Sequence, residues 1–164
     1  MKELDQLYRN IYPNIYAFFY IKTSDKSVAE DLSQDVFYEA CKSIHLYQGN
    51  STLKTWIFSI AKNILKKYYR SKKYQQTLEA NLKQQTSPSV KTPEEYLFLQ
   101  EETQTLVNII RQLDDQKKEI AILRIYGELS FKEIGELINK TENYARVIFH
   151  RIKLQIKMEM EGEK

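Results

Sequence analysis

The sequence predicts an all-α protein of two small helical domains joined by a flexible linker, the C-terminal one a helix-turn-helix. Three observations lead there. Four glycines and three prolines in 164 residues are too few for the many turns of an all-β chain. Apolar residues recur at three-four spacing over long stretches, the period of an amphipathic helix. A segment rich in Gln, Ser and Thr, QQTLEANLKQQTSPSVKT from Gln75 to Thr92, breaks that pattern and divides the chain into domains at 1–74 and 93–164. Each is about 70 residues, near the lower size at which one core holds without staples.

The elements follow in order. Residues 4–21 are rich in Leu, Ile, Tyr and Phe, and Pro13 inside this run predicts one kinked helix or two short ones. Ser27 and Glu30 have the spacing of a capping box and open a helix with apolar positions Val28, Leu32, Val36, Ala40 and Ile44 and an acidic opposite face. Gln48-Gly49-Asn50-Ser51 signals a turn. From Leu53, residues Trp56, Ile57, Ile60, Ala61, Ile64, Leu65 and Tyr68 keep helical spacing as far as Lys73. Past the linker, Thr92, Pro93 and Glu95 supply a cap, a first-turn proline and a reciprocal acid for a helix running to Gln112. A helix from Asp115 ends at Gly127, Ser130 and Glu133 cap a short one, and Thr141 starts a last long helix.

Composition excludes several classes. With 42% apolar and 29% charged residues the chain is of ordinary globular type. A single cysteine, Cys41, rules out an internal disulfide framework, and the N-terminus lacks the basic-then-apolar order of a secretion signal. No run approaches the roughly 20 apolar residues of a membrane helix, so the expected location is the cytoplasm, without direct membrane insertion. Beside scattered carboxylates only Cys41, His45 and His150 offer catalytic chemistry, and no Gly-rich phosphate loop occurs. The expectation is therefore no enzyme, no catalytic residues and no cofactor. Cys41 and His45 lie four apart, but two ligands are too few for a structural zinc site; a buried thiol beside a turn histidine is the plainer reading, and no metal is expected.

The net charge of +3 hides a division along the chain. Residues 1–39 carry four basic and seven acidic side chains, whereas eight Lys or Arg and no carboxylate fall between Glu39 and Glu79. Charge acts over about 8–10 Å at physiological salt, so an acidic zone followed by a basic one suggests two different partners.

In FKEIGELINKTENYARVIFH, Phe131 to His150, Gly135 lets two helices approach, Asn139 suits a left-handed turn, and Ile134, Ile138, Ala145 and Ile148 fall at buried positions of a helix-turn-helix. A plain helical hairpin would share that pattern. The last helix carries Arg146, Arg151, Lys153 and Lys157. Its first turns, around Glu142, Asn143 and Arg146, are placed to read base edges, and Arg151 and Lys153 to meet phosphate; a solvated basic face is the alternative. In the helix from Leu53, a stripe of Thr55, Ser59, Lys62, Asn63, Lys66, Arg70 and Lys73 lies opposite the apolar one. With Trp56, Phe58, Tyr68 and Tyr69 it offers the charge and stacking surfaces that single-stranded nucleic acid needs, although Trp56 taken alone reads as a core residue before a stacking one. The loop from Leu46 to Ser51 is a natural place to hold an unstacked base.

VAEDLSQDVFYEA from Val28 to Ala40, TLKTWIFSIAKNILKKYYRSKK from Thr52 to Lys73, and the helix-turn-helix ending FHR together resemble the extracytoplasmic-function group of bacterial RNA polymerase sigma factors. The resemblance covers nearly the whole chain, with three motifs in the family's order. It implies that Asp31, Gln34, Asp35 and Tyr38 dock on core RNA polymerase. It implies that Trp56, Ser59, Lys62, Asn63, Lys66, Arg70 and Lys73 serve the minus-10 element, with Asn63, Lys66 and Arg70 facing the non-template strand. The helix from Thr141, with Glu142, Asn143, Arg146, His150 and Arg151, would read the minus-35 element of promoter DNA. An anti-sigma factor, membrane-anchored in many relatives, is the further partner implied. Leu53, Lys67 and Ile148 depart from the family's usual aromatic, acidic and basic residues, so no promoter sequence is transferred. The rival reading is a helix-turn-helix activator or repressor that acts without serving as a polymerase subunit; it leaves the Trp56 helix unexplained.

Overall fold

The computed structural model describes residues 2–78 and 101–162, with side chains from 5–72 and 104–162. The expected helix start at Thr92, Pro93 and Glu95, and linker residues 79–92, lie outside the described residues. Those described form seven α-helices and one short 3-10 turn, with no strand among them, as the apolar periodicity predicts.

In the N-terminal bundle α1 (Lys2–Thr23) is one helix, and Pro13 sits within it at an exposed position. A proline there removes the bond to the carbonyl one turn back, a loss that water can make good on an exposed face. Five consecutive residues, Ile15, Tyr16, Ala17, Phe18 and Phe19, are buried, so this part of α1 is covered all round rather than along one stripe. Helices of both bundles touch it.

Ser24 turns the chain with φ 57°, and Asp25 then caps α2 (Lys26–Ser43), its carboxylate accepting from the Val28 amide at 3.1 Å. This corrects the expected cap at Ser27 and Glu30: the reversal at Ser24 starts the helix early enough to leave both inside it. Buried Ala29, Leu32, Val36, Phe37 and Ala40 form the inner face of α2, with the Ser33 hydroxyl donating to the Ala29 carbonyl at 2.6 Å. After a 3-10 turn at Ile44–Leu46, the Tyr47 hydroxyl donates to the Ser51 carbonyl and closes the loop leading to α3 (Leu53–Leu78). Here α3 buries Ile57, Phe58, Ala61 and Leu65, and Phe58 meets Phe18 edge-on at 5.9 Å. The helix continues past Lys73 into the first four residues of the segment read as linker, Gln75 to Leu78, none of which is Gly or Pro.

The C-terminal bundle holds α4 (Glu101–Gln112), α5 (Asp115–Ile125), α6 (Phe131–Ile138) and α7 (Glu142–Gly162). Ser130 and Glu133 cap α6 reciprocally, as their spacing predicts, and Asn139 ends it at φ 59° and ψ 44°. A Cβ at Gly135 would lie 2.8 Å from the Lys140 carbonyl oxygen, too close for any side chain without moving backbone. With that glycine, α6 and α7 fold back on each other as a helix-turn-helix around Ile134 and Ala145. The buried residues of both bundles join in one apolar cluster, α1 lying against α4 and α5, and α3 against α6.

Candidate functional site

On α2 the expected docking residues Asp31, Gln34, Asp35 and Tyr38 are all exposed and, at spacings of three and four, share one face. Tyr38 is 69% exposed, far more than a phenol ring left over from a core. Asp35, Tyr38 and Glu39 of α2 face Asn63, Lys67 and Ser71 of α3 across an open groove of about 580 Å³. The acidic and basic zones of the sequence thus become opposite walls of one depression.

Along α3, Asn63, Lys66 and Arg70 are exposed, whereas Ser59 and Lys62 are half-buried. The Lys73 side chain lies outside the described residues. Two expectations for this helix are corrected. Phe58 is fully buried and offers no stacking surface, because its partner Phe18 on α1 takes it into the core. Thr55 is only 3% exposed: its hydroxyl donates to the carboxylate of Glu133, which also accepts from Thr52 Oγ1 at 3.0 Å. Lys62 is likewise engaged by the other bundle, its ammonium donating to the Leu137 carbonyl at 2.5 Å and pairing with Glu119 at 3.4 Å. Sequence reasoning found neither Glu119 nor the second role of Glu133, since both contacts cross the interdomain segment and no local spacing announces them.

Trp56 is half-buried against Tyr47, ring centroids 5.4 Å apart, and lines a small apolar pocket with Phe37 and Cys41. Cys41 itself is exposed, which corrects the expected buried thiol: Ala40 takes the inward position and leaves its neighbour outside. Tyr69 is 42% exposed and its hydroxyl donates to the Lys22 carbonyl at 3.0 Å.

At the cap of α7 and along it every expected residue, Thr141, Glu142, Asn143, Arg146, His150 and Arg151, is exposed. Thr141 Oγ1 accepts from the Tyr144 amide at 3.0 Å, capping the helix. Arg146 is held at 3.0 Å by Glu142 one turn back, with its guanidinium 5.6 Å from the centre of the Phe131 ring. Among the described residues no group of three or more His, Cys, Asp or Glu could hold a metal, and no helix is long and apolar enough to cross a membrane.

The Glu133 carboxyl shows what the contact with α3 does. Burial pushes its pKa up, but hydrogen bonds from Thr55, Ser130 and Thr52 outweigh burial and leave it below the ordinary value of 4.5. A carboxyl depressed on folding stabilises the fold above its unfolded pKa, and that contribution is lost as pH falls through the folded value. Thermal melts of the parent and of Glu133→Gln should therefore differ near neutrality and converge below the ordinary glutamate value. Parallel curves across that range would show that the carboxylate contributes nothing.

Residues 7–74 match the family described as Sigma-70 region 2, a span holding both the acidic face of α2 and most of α3. The chain is 31% identical over 158 residues to the RNA polymerase sigma factor YlaC of Bacillus subtilis, across 96% of this chain and 91% of that protein. It is 30% identical over 148 residues to the ECF RNA polymerase sigma factor SigM of the same organism, across 89% of this chain and 88% of that one. The chain belongs to the extracytoplasmic-function group of bacterial RNA polymerase sigma factors. Its fold is also that of the sigma factor RpoE from Bartonella quintana, solved in complex with the anti-sigma factor NepR, with a TM-score of 0.76 at 17% identity over 100% of both chains. The sigma factor thus carries its two oppositely charged zones within the matched region, and its helix-turn-helix beyond it.

Proposed function

We propose that this sigma factor divides its work among three surfaces. Asp31, Gln34, Asp35 and Tyr38 dock on core RNA polymerase; Asn63, Lys66 and Arg70, with Trp56, Ser59, Lys62 and Lys73, hold the minus-10 strand; Thr141, Glu142, Asn143, Arg146, His150 and Arg151 read the minus-35 duplex. Residues 1–74 act as the polymerase and minus-10 domain, 75–92 as the linker and 93–164 as the minus-35 domain. The protein acts in the cytoplasm and is no enzyme, since polymerase supplies the chemistry. An anti-sigma factor holds it inactive, as the complex of RpoE with NepR suggests by analogy of fold.

One observation carries the reading: the groove between α2 and α3, with carboxylates and Tyr38 on one wall and Asn63 and Lys67 on the other. A protein partner met on one wall and a phosphate strand on the other would be brought side by side, as initiation requires. The deciding experiment is run-off transcription with purified core polymerase on templates chosen by mapping the transcripts that appear when the chain is overproduced. Transcripts should start at those sites only when the chain is added. A chain that binds these templates unaided, never binds core and starts no transcript is a regulator of the rival kind.

A further inference from the structure

Helix α7 is apolar on two opposite faces, and its own bundle uses only one of them. Ala145 and Ile152 are buried on the inward side, where Phe149 and Ile156 pack against the same apolar cluster. On the outward side Val147, Leu154 and Met158 are exposed, Leu154 by 52% and Met158 by 73%. Lone apolar side chains are ordinary on a surface, but these fall in line. Val147, Arg151, Leu154, Met158 and Glu161 follow at spacings of four, three, four and three, the repeat of a coiled-coil seam, and all five are exposed. Neither Arg151 nor Glu161 has an ion-pair partner among the described residues.

The charges of this seam select its occupant. A second copy laid antiparallel, with the two-fold axis at the level of Ile156, sets Leu154 of each copy against Met158 of the other. Arg151 then meets Glu161 of the second copy at both ends, because the two residues lie equally far from the axis on opposite sides. A two-fold pairing makes every such contact twice. Other arrangements lack this match. Parallel copies would face Arg151 with Arg151 and Glu161 with Glu161, and an antiparallel pair shifted by one heptad sets Arg151 against Leu154 with no carboxylate opposite. Ile156 stays in the core of its own bundle, so pairing asks for no change in the fold.

We propose that two copies of the free chain pair antiparallel through the C-terminal half of α7, with Leu154 and Met158 as apolar layers between two ion pairs of Arg151 with Glu161. The contact is small. Two apolar layers fall short of the roughly 1,200 Å² of total surface that stable complexes bury, so the pair forms at high chain concentration and dissolves on dilution. Arg151 also belongs to the face assigned above to duplex DNA, and a paired chain withholds it. The pairing itself does not depend on that assignment.

Sedimentation equilibrium of the intact chain at low salt, from low-micromolar to near-millimolar concentration, should show a monomer–dimer equilibrium that Met158→Glu abolishes. A monomer throughout, or a dimer indifferent to Met158→Glu, overturns the proposal. Register is read by charge. Arg151→Glu alone and Glu161→Arg alone each set like charges against each other at both ends of the pair, and each should weaken it about tenfold or more. Mixed in equal amounts the two variants are complementary, since one carries two carboxylates on its seam and the other two guanidiniums. Native mass spectrometry, which separates the variants by mass, should find mixed pairs in excess of both same-variant pairs. Statistical mixing, or self-pairing by either variant as strong as the parent's, overturns the register. Circular dichroism checks that each variant is folded, and recovery of pairing in the mixture is an outcome that misfolded chains would not give. Self-association is measured without polymerase or promoter, so its failure leaves the assigned function, tested by run-off transcription, untouched.

Discussion

Reversing both Asp31 and Asp35 to lysine should abolish capture of core polymerase while the chain stays folded. Both side chains are exposed on α2, where neighbouring Leu32 and Val36 carry the packing. Substitutions at such surface positions change stability by about 0.5 kcal/mol or less, and lysine is a better helix former than aspartate. Loss of a charge that is paired across an interface costs about 2–5 kcal/mol, and reversal adds repulsion. Two such losses predict a fall in core affinity on the order of a thousandfold or more, at roughly 1.4 kcal/mol per factor of ten. Competition of labelled parent chain against the variant for core polymerase measures this directly, with thermal melting as the control for folding. A variant that competes as well as the parent removes α2 from the polymerase interface, and the division of labour between the acidic and basic zones goes with it.

Phe58→Ala should unfold the N-terminal bundle under conditions where the parent is stable. The ring is fully buried, meets Phe18 edge-on at 5.9 Å, and sits with Ile15, Ile57 and Ala61 in the apolar cluster. Truncating a buried phenylalanine costs about 3–5 kcal/mol. A whole small domain holds about 5–15 kcal/mol, so one substitution consumes a large share of it. Denaturant melts followed by circular dichroism should show a much lower midpoint. Little change in the midpoint, with impaired single-strand binding instead, would return Phe58 to the nucleic-acid surface.

The sequence was most informative where a residue's role depends on its near neighbours. Ser130 and Glu133, three apart, satisfy each other's helix start; Asn139 takes the left-handed turn; Gly135 leaves room for the backbone at Lys140. Each is a short-range constraint that spacing alone can express. The α2 cap was harder, because Asp25 and Ser27 are both good capping residues and the choice between them turns on Ser24. Phe58 and Thr55 were harder still. Both lie on a helix whose apolar stripe leaves its margins ambiguous, and each is claimed by a residue far away in sequence, Phe18 in one case and Glu133, 78 positions on, in the other. The exposed face of α7 was legible because nothing distant packs over it. Thr55 and Lys62 on the α3 face were not, because their partners come from the other bundle.

Arg146 reaches the surface already fixed, between the Glu142 carboxylate and the Phe131 ring. A long arginine side chain ordinarily gives up about 2 kcal/mol of rotamer freedom when it is immobilised, and here much of that loss is incurred during folding. Contact with a base would then add its hydrogen bonds with little further ordering, so a mismatched promoter would be penalised by missing bonds rather than rescued by a roaming side chain.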